Sequence, residues 1–415
     1  MEYWIGYVKA GLRKVLIGDW QLWIIYFALT TVGVLSVYSS SYSMAFREMG
    51  GNTEHYLGLH LRSIGIGLLG IIFMSRVNYR WLAKSPELAL WLGIPLLAYT
   101  NLRGESIGEA SRWIRILGVS FQTSDLIKFI LLVNVAYFLA QKQNMAKEEY
   151  SFKSLSKAIG WTAFYCMALV NTGFSTAVLL GMTCFAMFWV GRVPPQFLMK
   201  MGGWVSSTLL VMLFSGIVAS SFGLKFGRAE VVIDRIESFG KDAFKVKWDI
   251  NRDGKIGGDI SGNSDQRLYS LAAIANGGLK GAGPGHSVHR YKLSESFSDL
   301  IFSVIVEEYG VIGAVLVICL YLWLLWKGLK NIQVTYRAFG GLLSIGLTLS
   351  ITIQAFAHIW VNVGLAPITG QTLPLVSWGG SSFLFTSLMF GVVIAISKGE
   401  EDEIRSSSRR KNVKS

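Results

Sequence analysis

Residues 266–313 read QRLYSLAAIANGGLKGAGPGHSVHRYKLSESFSDLIFSVIVEEYGVIG, and the rest of the chain is organised around them. The stretch begins polar and Gly-rich and passes without a break into an apolar helix. Asp299 stands at the junction, and Glu307 and Glu308 follow about two turns later. A carboxylate held where water meets hydrocarbon is costly, and asks for a functional reason. Asp299 and Ser298 are also good helix caps, so the residues alone leave capping and function evenly matched.

Working outward, 52% of the 415 residues are hydrophobic and 16% charged. The mean hydropathy is +0.44. A soluble surface needs more charge than this. The apolar residues also come in runs of about twenty, long enough to cross the hydrocarbon core. The chain therefore reads as an integral membrane protein. Cys166, Cys184 and Cys319 fall inside apolar runs and read as small core residues rather than disulfide or metal partners. The net charge of +13 is spread over short loops and the tail. That pattern suits membrane orientation and anionic headgroups, and argues against nucleic acid. The first apolar run is too long for a signal-peptide core and reads as a retained signal anchor.

Ten spans are expected, at 19–40, 57–75, 86–101, 125–141, 157–171, 173–191, 203–222, 300–326, 338–360 and 374–396. The fold class is thus an all-α polytopic bundle. Lys and Arg concentrate on one side, from Lys9, Arg13 and Lys14 through Arg76, Arg80 and Lys84 to the tail. The basic side faces the cytoplasm, which places both termini there. A large loop at 223–299, between the seventh and eighth spans, then lies outside the cytoplasmic membrane. Residues 1–397 form the membrane domain, and 398–415 a charged, Ser-rich tail expected to be disordered. There is no P-loop, so an ATP-driven transporter is not indicated.

The dense polar clusters lie on the outer side. Arg112 and Arg115 flank Trp113, a cationic and aromatic surface that also suits an ordinary interfacial anchor. Lys128 lies one turn into an apolar helix, on the face of Ser124 or Asp125. Glu307 is about 12 Å deeper than Asp299 along its helix and must pair, face water or be protonated. Lys128 and Arg62 are the candidate cations for it. Gln354, His358 and Asn362 are spaced four apart on one helix face, a pattern that also serves plain interhelical hydrogen bonding. Residues 364–382 hold prolines, glycines and hydroxyls that cannot continue a helix, and read as a re-entrant segment lining a cavity. Asp249-Ile-Asn-Arg-Asp-Gly254 copies the opening of a calcium loop, but position twelve is Ile260. An Asx-rich turn is the better reading there.

Several of these segments, in order, resemble the SEDS family (shape, elongation, division and sporulation; FtsW/RodA-like). They are Arg112-Trp113-Ile114 with Gln122 to Lys128, then Gly277-Gly278, Gly281, Gly283, Gly285 and Ser287. Ser298-Asp299-Leu-Ile-Phe302, Glu307-Glu308-Tyr-Gly310, Asn362, Gly364, Pro367, Thr369-Gly370, Leu373-Pro374 and Ser377 to Ser382 complete the match. Glu295 stands in Leu293-Ser-Glu295 where the family often has Leu-Pro-Glu, and Phe297 replaces a usual His. A Gln-Pro-Asp-Leu-Gly element expected between the fifth and sixth spans is replaced by Asn171 to Thr176, so no role carries over to that acid. The Gly283-Pro-Gly285 run and Phe297-Ser-Asp299 are closer to the division branch.

The resemblance implies a peptidoglycan glycosyltransferase that polymerises lipid II at the outer face of the cytoplasmic membrane. Asp299 matches the family's essential acid, and a sugar hydroxyl attacking an anomeric carbon needs such a base. Cations must meet the departing pyrophosphate, a task suited to Arg112, Arg115 and Lys128. Trp113, Glu295, Glu307, His358, Asn362, Thr369, Ser377 and Ser381 are expected around the substrate. No cofactor is demanded; a divalent cation, Mg or Mn, could share the charge. The implied partners are a class B penicillin-binding protein and other divisome or elongasome membrane proteins. A lipid II flippase and a non-enzymatic scaffold are the competing readings.

Overall fold

The computed structural model describes residues 16–41, 53–103, 105–106, 111–116, 119–143, 152–170, 173–199, 202–203, 263–289, 297–334 and 338–412. Ten longer α-helices dominate these residues: α1 Trp20–Ser40, α2 Thr53–Arg76, α3 Pro86–Arg103, α4 Thr123–Gln143, α5 Phe152–Val170, α6 Phe174–Val190, α7 Asn263–Gly277, α8 Ile301–Val334, α9 Ala338–Asn362 and α10 Gly380–Asn412. Six of them, α1, α2, α4, α8, α9 and the first part of α10, are long and apolar enough to cross a membrane, and α5 and α6 are shorter apolar helices. These elements make the chain an integral membrane protein and fall close to the spans read from the sequence. The expected seventh span at 203–222, beyond Gly203 itself, the calcium-like turn and Glu295 lie outside the described residues.

The helical bundle carries one short sheet that the sequence reading does not anticipate. The segment between α3 and α4 holds a three-stranded antiparallel sheet: β1 Glu105–Ser106, β2 Ser111–Ile116 and β3 Val119–Gln122. Trp113 is opposite Gln122 and Ile116 opposite Val119. The physical cause is visible in Val-Ser-Phe-Gln, whose apolar and polar residues alternate with period two. The tail is a second difference. α10 continues as helix to Asn412, past the point at which an irregular tail was expected.

Helices approach closely where glycine allows it. A Cβ on Gly67 of α2 would stand 2.6 Å from Ser387 Oγ of α10, and one on Gly391 would stand 2.7 Å from Met74 Cβ. Small residues permit such contact where no water drives association. At one end of the bundle, Asp19 caps α1 by accepting from Gln21 N at 2.9 Å and also accepts from Lys327 of α8.

Residues 363–379 join α9 to α10 and form an irregular strap. Leu375 sits at φ 63°, a left-handed conformation rare outside glycine. The strap lies against mid-helix residues: a Cβ on Gly33 of α1 would meet Val376 O at 2.8 Å. Tyr321, twenty positions into α8, donates to Pro374 O at 2.6 Å. Broken backbone at this depth is tolerated because protein surrounds it and satisfies its carbonyls. The re-entrant reading of this segment agrees with that geometry.

Candidate active site

Asp299 lies in the turn Phe297–Leu300 that opens α8, and each backbone carbonyl leading up to it is engaged. Trp378 N donates to Phe297 O at 3.1 Å. Ser377 Oγ donates to Ser298 O at 2.7 Å and accepts from Leu373 N at 2.7 Å. Asn362 Nδ2 donates to Asp299 O at 3.1 Å. The other end of that amide, Oδ1, accepts from Ser303 N at 3.1 Å and from Ser303 Oγ at 2.8 Å. Asn362, from α9, thereby gives Ser303 N, which also donates to Leu300 O at 3.2 Å, a second acceptor in the first turn of α8. The strap and α9 together fix the Asp299 backbone.

Asp299 is half-buried. Oδ1 accepts from Ser298 Oγ at 2.6 Å, and Oδ2 lies 3.3 Å from where a Cβ on Gly370 would stand. Gly370 adopts φ 66°, so the strap turns under the acid at a residue with no side chain to cover it. Thr369, one residue earlier, is half-buried in the same turn.

A second polar group runs from α4 to the strap. Lys128 is 8% exposed, and its Nζ contacts Asp125 Oδ1 at 3.3 Å and Gln354 Oε1 at 2.9 Å. Gln354 Nε2 donates to Thr372 O at 3.1 Å, and one turn later His358 Nδ1 meets Gln371 O at 2.8 Å. Gln371 Nε2 in turn donates to Thr176 Oγ1 at 3.1 Å, inside the segment that departs from the family pattern. Ser381 Oγ accepts from Gln122 N at 3.1 Å, tying the start of α10 to the end of β3. The expected face of Gln354, His358 and Asn362 is therefore real, and its partners lie in the strap, on α4 and at the head of α8.

Glu307 departs from expectation. It is fully buried, and neither Lys128 nor the exposed Arg62 is its partner. It accepts from Asn276 Nδ2 at 3.0 Å, Val288 N at 3.2 Å and His289 Nδ1 at 2.7 Å, and from Ser287 Oγ. These donors come from α7 and the Gly-rich arm after it. The arm reaches Glu307 because its backbone packs directly on that of α8. A Cβ on Gly277 would stand 2.0 Å from Val306 O, and one on Gly281 2.2 Å from Glu308 O. Ala282 N and Gly283 N donate to Glu307 O and Glu308 O at 2.8 and 3.0 Å. α8 is itself broken at Gly310, φ 67° and ψ −166°. Val311 N turns out of the helix to bond Gly278 O at 3.0 Å. Glu307 is thus an anchor for the arm rather than a group open to substrate. Asn276, Ser287 and His289 escaped the sequence reading as donors because nothing in their spacing points to a residue some twenty to thirty positions away.

Arg112, Trp113 and Arg115 lie on β2. Among the described residues, no group of three or more His, Cys, Asp or Glu side chains gathers to hold a metal.

The arm, the acid at the head of α8 and the strap carry the motifs quoted above, and a family model described as "Cell cycle protein", uniting FtsW, RodA and SpoVE, matches residues 19–402. The chain belongs to this family. Its curated relatives include proteins named probable peptidoglycan glycosyltransferase FtsW. The one from Bacillus subtilis (strain 168) is 29% identical over 393 residues, covering 93% of this chain and 92% of its own. The one from Coxiella burnetii (strain RSA 493) is 29% identical over 394 residues, covering 92% and 98%. Among solved structures, a chain from work on the structural coordination of polymerization and crosslinking by a peptidoglycan synthase complex superposes with a TM-score of 0.69. It is 20% identical, with 92% of this chain and 98% of that one covered. The rod shape determining protein RodA of Thermus thermophilus matches with a TM-score of 0.63 at 19% identity, covering 92% and 97%. At these identities the structures establish the shared fold.

Proposed function

We propose that this chain is a peptidoglycan glycosyltransferase of the FtsW type that polymerises lipid II, with Asp299 as the general base. The observation that carries the role of Asp299 is its geometry. Its backbone is pinned by Asn362 and its neighbours' by Ser377 and Trp378, while the residue itself is only part-buried and its Oδ2 lies beside Gly370. A base must be held within hydrogen-bond reach of the proton it takes, and a rigid backbone at a part-buried acid suits that need. In the reaction a sugar hydroxyl of one glycan attacks the anomeric carbon of the next, and its proton passes to Asp299. The bond to the lipid pyrophosphate breaks on the opposite face, so an α-linked donor gives a β-linked product.

The leaving pyrophosphate carries the developing negative charge, which preorganised cations stabilise. Lys128 is held ready for that task by Asp125 and Gln354, and Arg112 and Arg115 on β2 supply further charge from the strand before α4. No step is assigned to a metal. The names of the curated relatives support the activity, and the described helices support the setting. Both termini lie in the cytoplasm, ten helices span the inner membrane, and the 223–299 loop with the Asp299 site faces outward. A peptidoglycan synthase complex among the similar structures supports a transpeptidase partner, a class B penicillin-binding protein.

Purified protein with that partner and labelled lipid II in detergent is expected to form glycan polymer, and Asp299→Ala and Asp299→Asn are expected to form none. Polymer from Asp299→Asn at the wild-type rate would overturn the base assignment. Lipid II flipping in sealed liposomes without any polymerisation would favour a transporter instead.

A further inference from the structure

A groove between α3 and α5 shares no residue with that site. α3 and α5 both pack on α4, and the space between them measures about 350 Å³. Trp91 and Ile94 line it from α3, and Lys157, Gly160, Trp161 and Phe164 from α5.

The two walls are graded in the same direction. On α3, Glu87, Trp91 and Ile94 are spaced four and three apart and share one face. On α5, Lys157, Gly160, Trp161 and Phe164 do the same. The charged pair stands at the mouth, with Lys157 Nζ 3.5 Å from Glu87 Oε1. The indoles of Trp91 and Trp161 meet edge to face below it, centroids 5.1 Å apart. Ile94 and Phe164 lie deepest, about 10 Å from the level of Lys157 at the helical rise. Gly160 opens the floor, since a Cβ there would meet no atom within 4 Å. Behind the groove, buried Tyr165 donates to Leu90 O and holds α3 to α5, which fixes the two walls of this open surface groove relative to each other.

Polar at the rim and apolar below is the profile of a single amphiphile lying along the protein. The headgroup chemistry follows from the rim. Lys157 and Glu87 are 65% and 45% exposed, and an exposed pair at 3.5 Å contributes little to folding. Lys157 complements a phosphate, and Glu87 beside it adds an acceptor that only a headgroup with a donor can use. A cation and an anion side by side complement a phosphate and an ammonium side by side. A primary ammonium can donate hydrogen bonds to Glu87, whereas a quaternary one cannot. The rim adjoins the loop bearing Arg80 and Lys84, the basic and hence cytoplasmic end of these helices.

We propose that the α3–α5 groove is a binding site for one zwitterionic phospholipid of the cytoplasmic leaflet with a primary-ammonium headgroup. Its phosphate lies on Lys157, its ammonium on Glu87, and one acyl chain along Trp91, Ile94 and Phe164.

The test is native mass spectrometry of the purified full-length protein, titrated separately with phosphatidylethanolamine, phosphatidylcholine and phosphatidylglycerol of equal chain length. One phosphatidylethanolamine is expected to be retained about tenfold more strongly than phosphatidylcholine, a ratio corresponding to about 1.4 kcal/mol. Glu87→Gln is expected to erase that preference while leaving binding of phosphatidylcholine unchanged. Lys157→Ala is expected to weaken all three lipids, and Gly160→Leu, filling the floor, to remove the retained lipid. Unfolding temperatures of the variants report whether they fold, and Glu87→Gln, a surface change, keeps the test open if Gly160→Leu does not. Equal retention of the three lipids would show ordinary annular lipid and overturn the proposal. So would a preference for phosphatidylglycerol, or a preference for phosphatidylethanolamine that survives Glu87→Gln.

Discussion

The Asn362 side chain donates to Asp299 O at 3.1 Å and, through its other end, accepts from Ser303 N at 3.1 Å. One buried amide from α9 therefore sets both the position of the acid and the first turn of the helix it precedes. Replacing Asn362 by Leu removes this partner from the Asp299 carbonyl and leaves Ser303 N with Leu300 O alone, a loss of about 0.5–1.5 kcal/mol for each hydrogen bond. We expect Asn362→Leu to lower kcat for lipid II polymerisation at least tenfold and to lower the unfolding temperature. A full-rate enzyme would mean that Asp299 holds its place without Asn362.

Gly370 separates cover from access at the carboxylate. A Cβ would stand 3.3 Å from Asp299 Oδ2, and φ 66° disfavours any L side chain. Gly370→Val should therefore abolish polymerisation while leaving the protein extractable and monodisperse in detergent. Gly370→Ala should retain part of the activity, and the two rates compared under one lipid II concentration measure the steric term.

Glu307 predicts a stability effect. Removing one member of a buried, hydrogen-bonded charge set costs about 3–5 kcal/mol. Glu307→Ala should reduce the yield of folded protein and the unfolding temperature more than His289→Ala does. The double variant should be less destabilised than the sum of the singles, because both lose the same 2.7 Å contact. Strict additivity in thermal unfolding would contradict the contact.

Gly281 marks where the arm touches α8. Its φ is 81°, and a Cβ would lie 2.2 Å from Glu308 O, closer than any real contact. Gly281→Ala should detach the arm. Limited proteolysis should then cut within residues 277–289 faster than in wild type, whereas Gly285→Ala, where a Cβ meets nothing within 4 Å, should cut more slowly than Gly281→Ala.

Lys128 should separate binding from folding. Lys128→Met removes the charge offered to the pyrophosphate and leaves buried Asp125 without this cation. We expect at least a tenfold loss of kcat/KM for lipid II. Adding Asp125→Asn should restore thermal stability without restoring activity. Recovery of both would make the pair purely structural.

Much of the scaffold is legible before any coordinates. Span positions follow because apolar length and membrane thickness are both fixed quantities, and α1, α4, α6 and α9 start or end within a few residues of the expected bounds. The strap is legible because Pro367, Pro374 and its glycines cannot continue a helix. The sheet before α4 is less so, since four- and six-residue strands carry little periodicity against a background of apolar runs.

By itself the sequence determines that the chain lives in a membrane, that Asp299 stands where α8 begins, and that the segment after α9 breaks. These are local properties, set by side-chain polarity and backbone freedom within a few residues. Which groups meet is decided only by tertiary structure. Glu307 is satisfied by Asn276, Ser287, Val288 and His289 rather than by Lys128 or Arg62, and Lys128 by Asp125 and Gln354. A buried charge needs some partner, and sequence shows that need; the partner is chosen by which backbones approach, here through Gly277, Gly281 and Gly310.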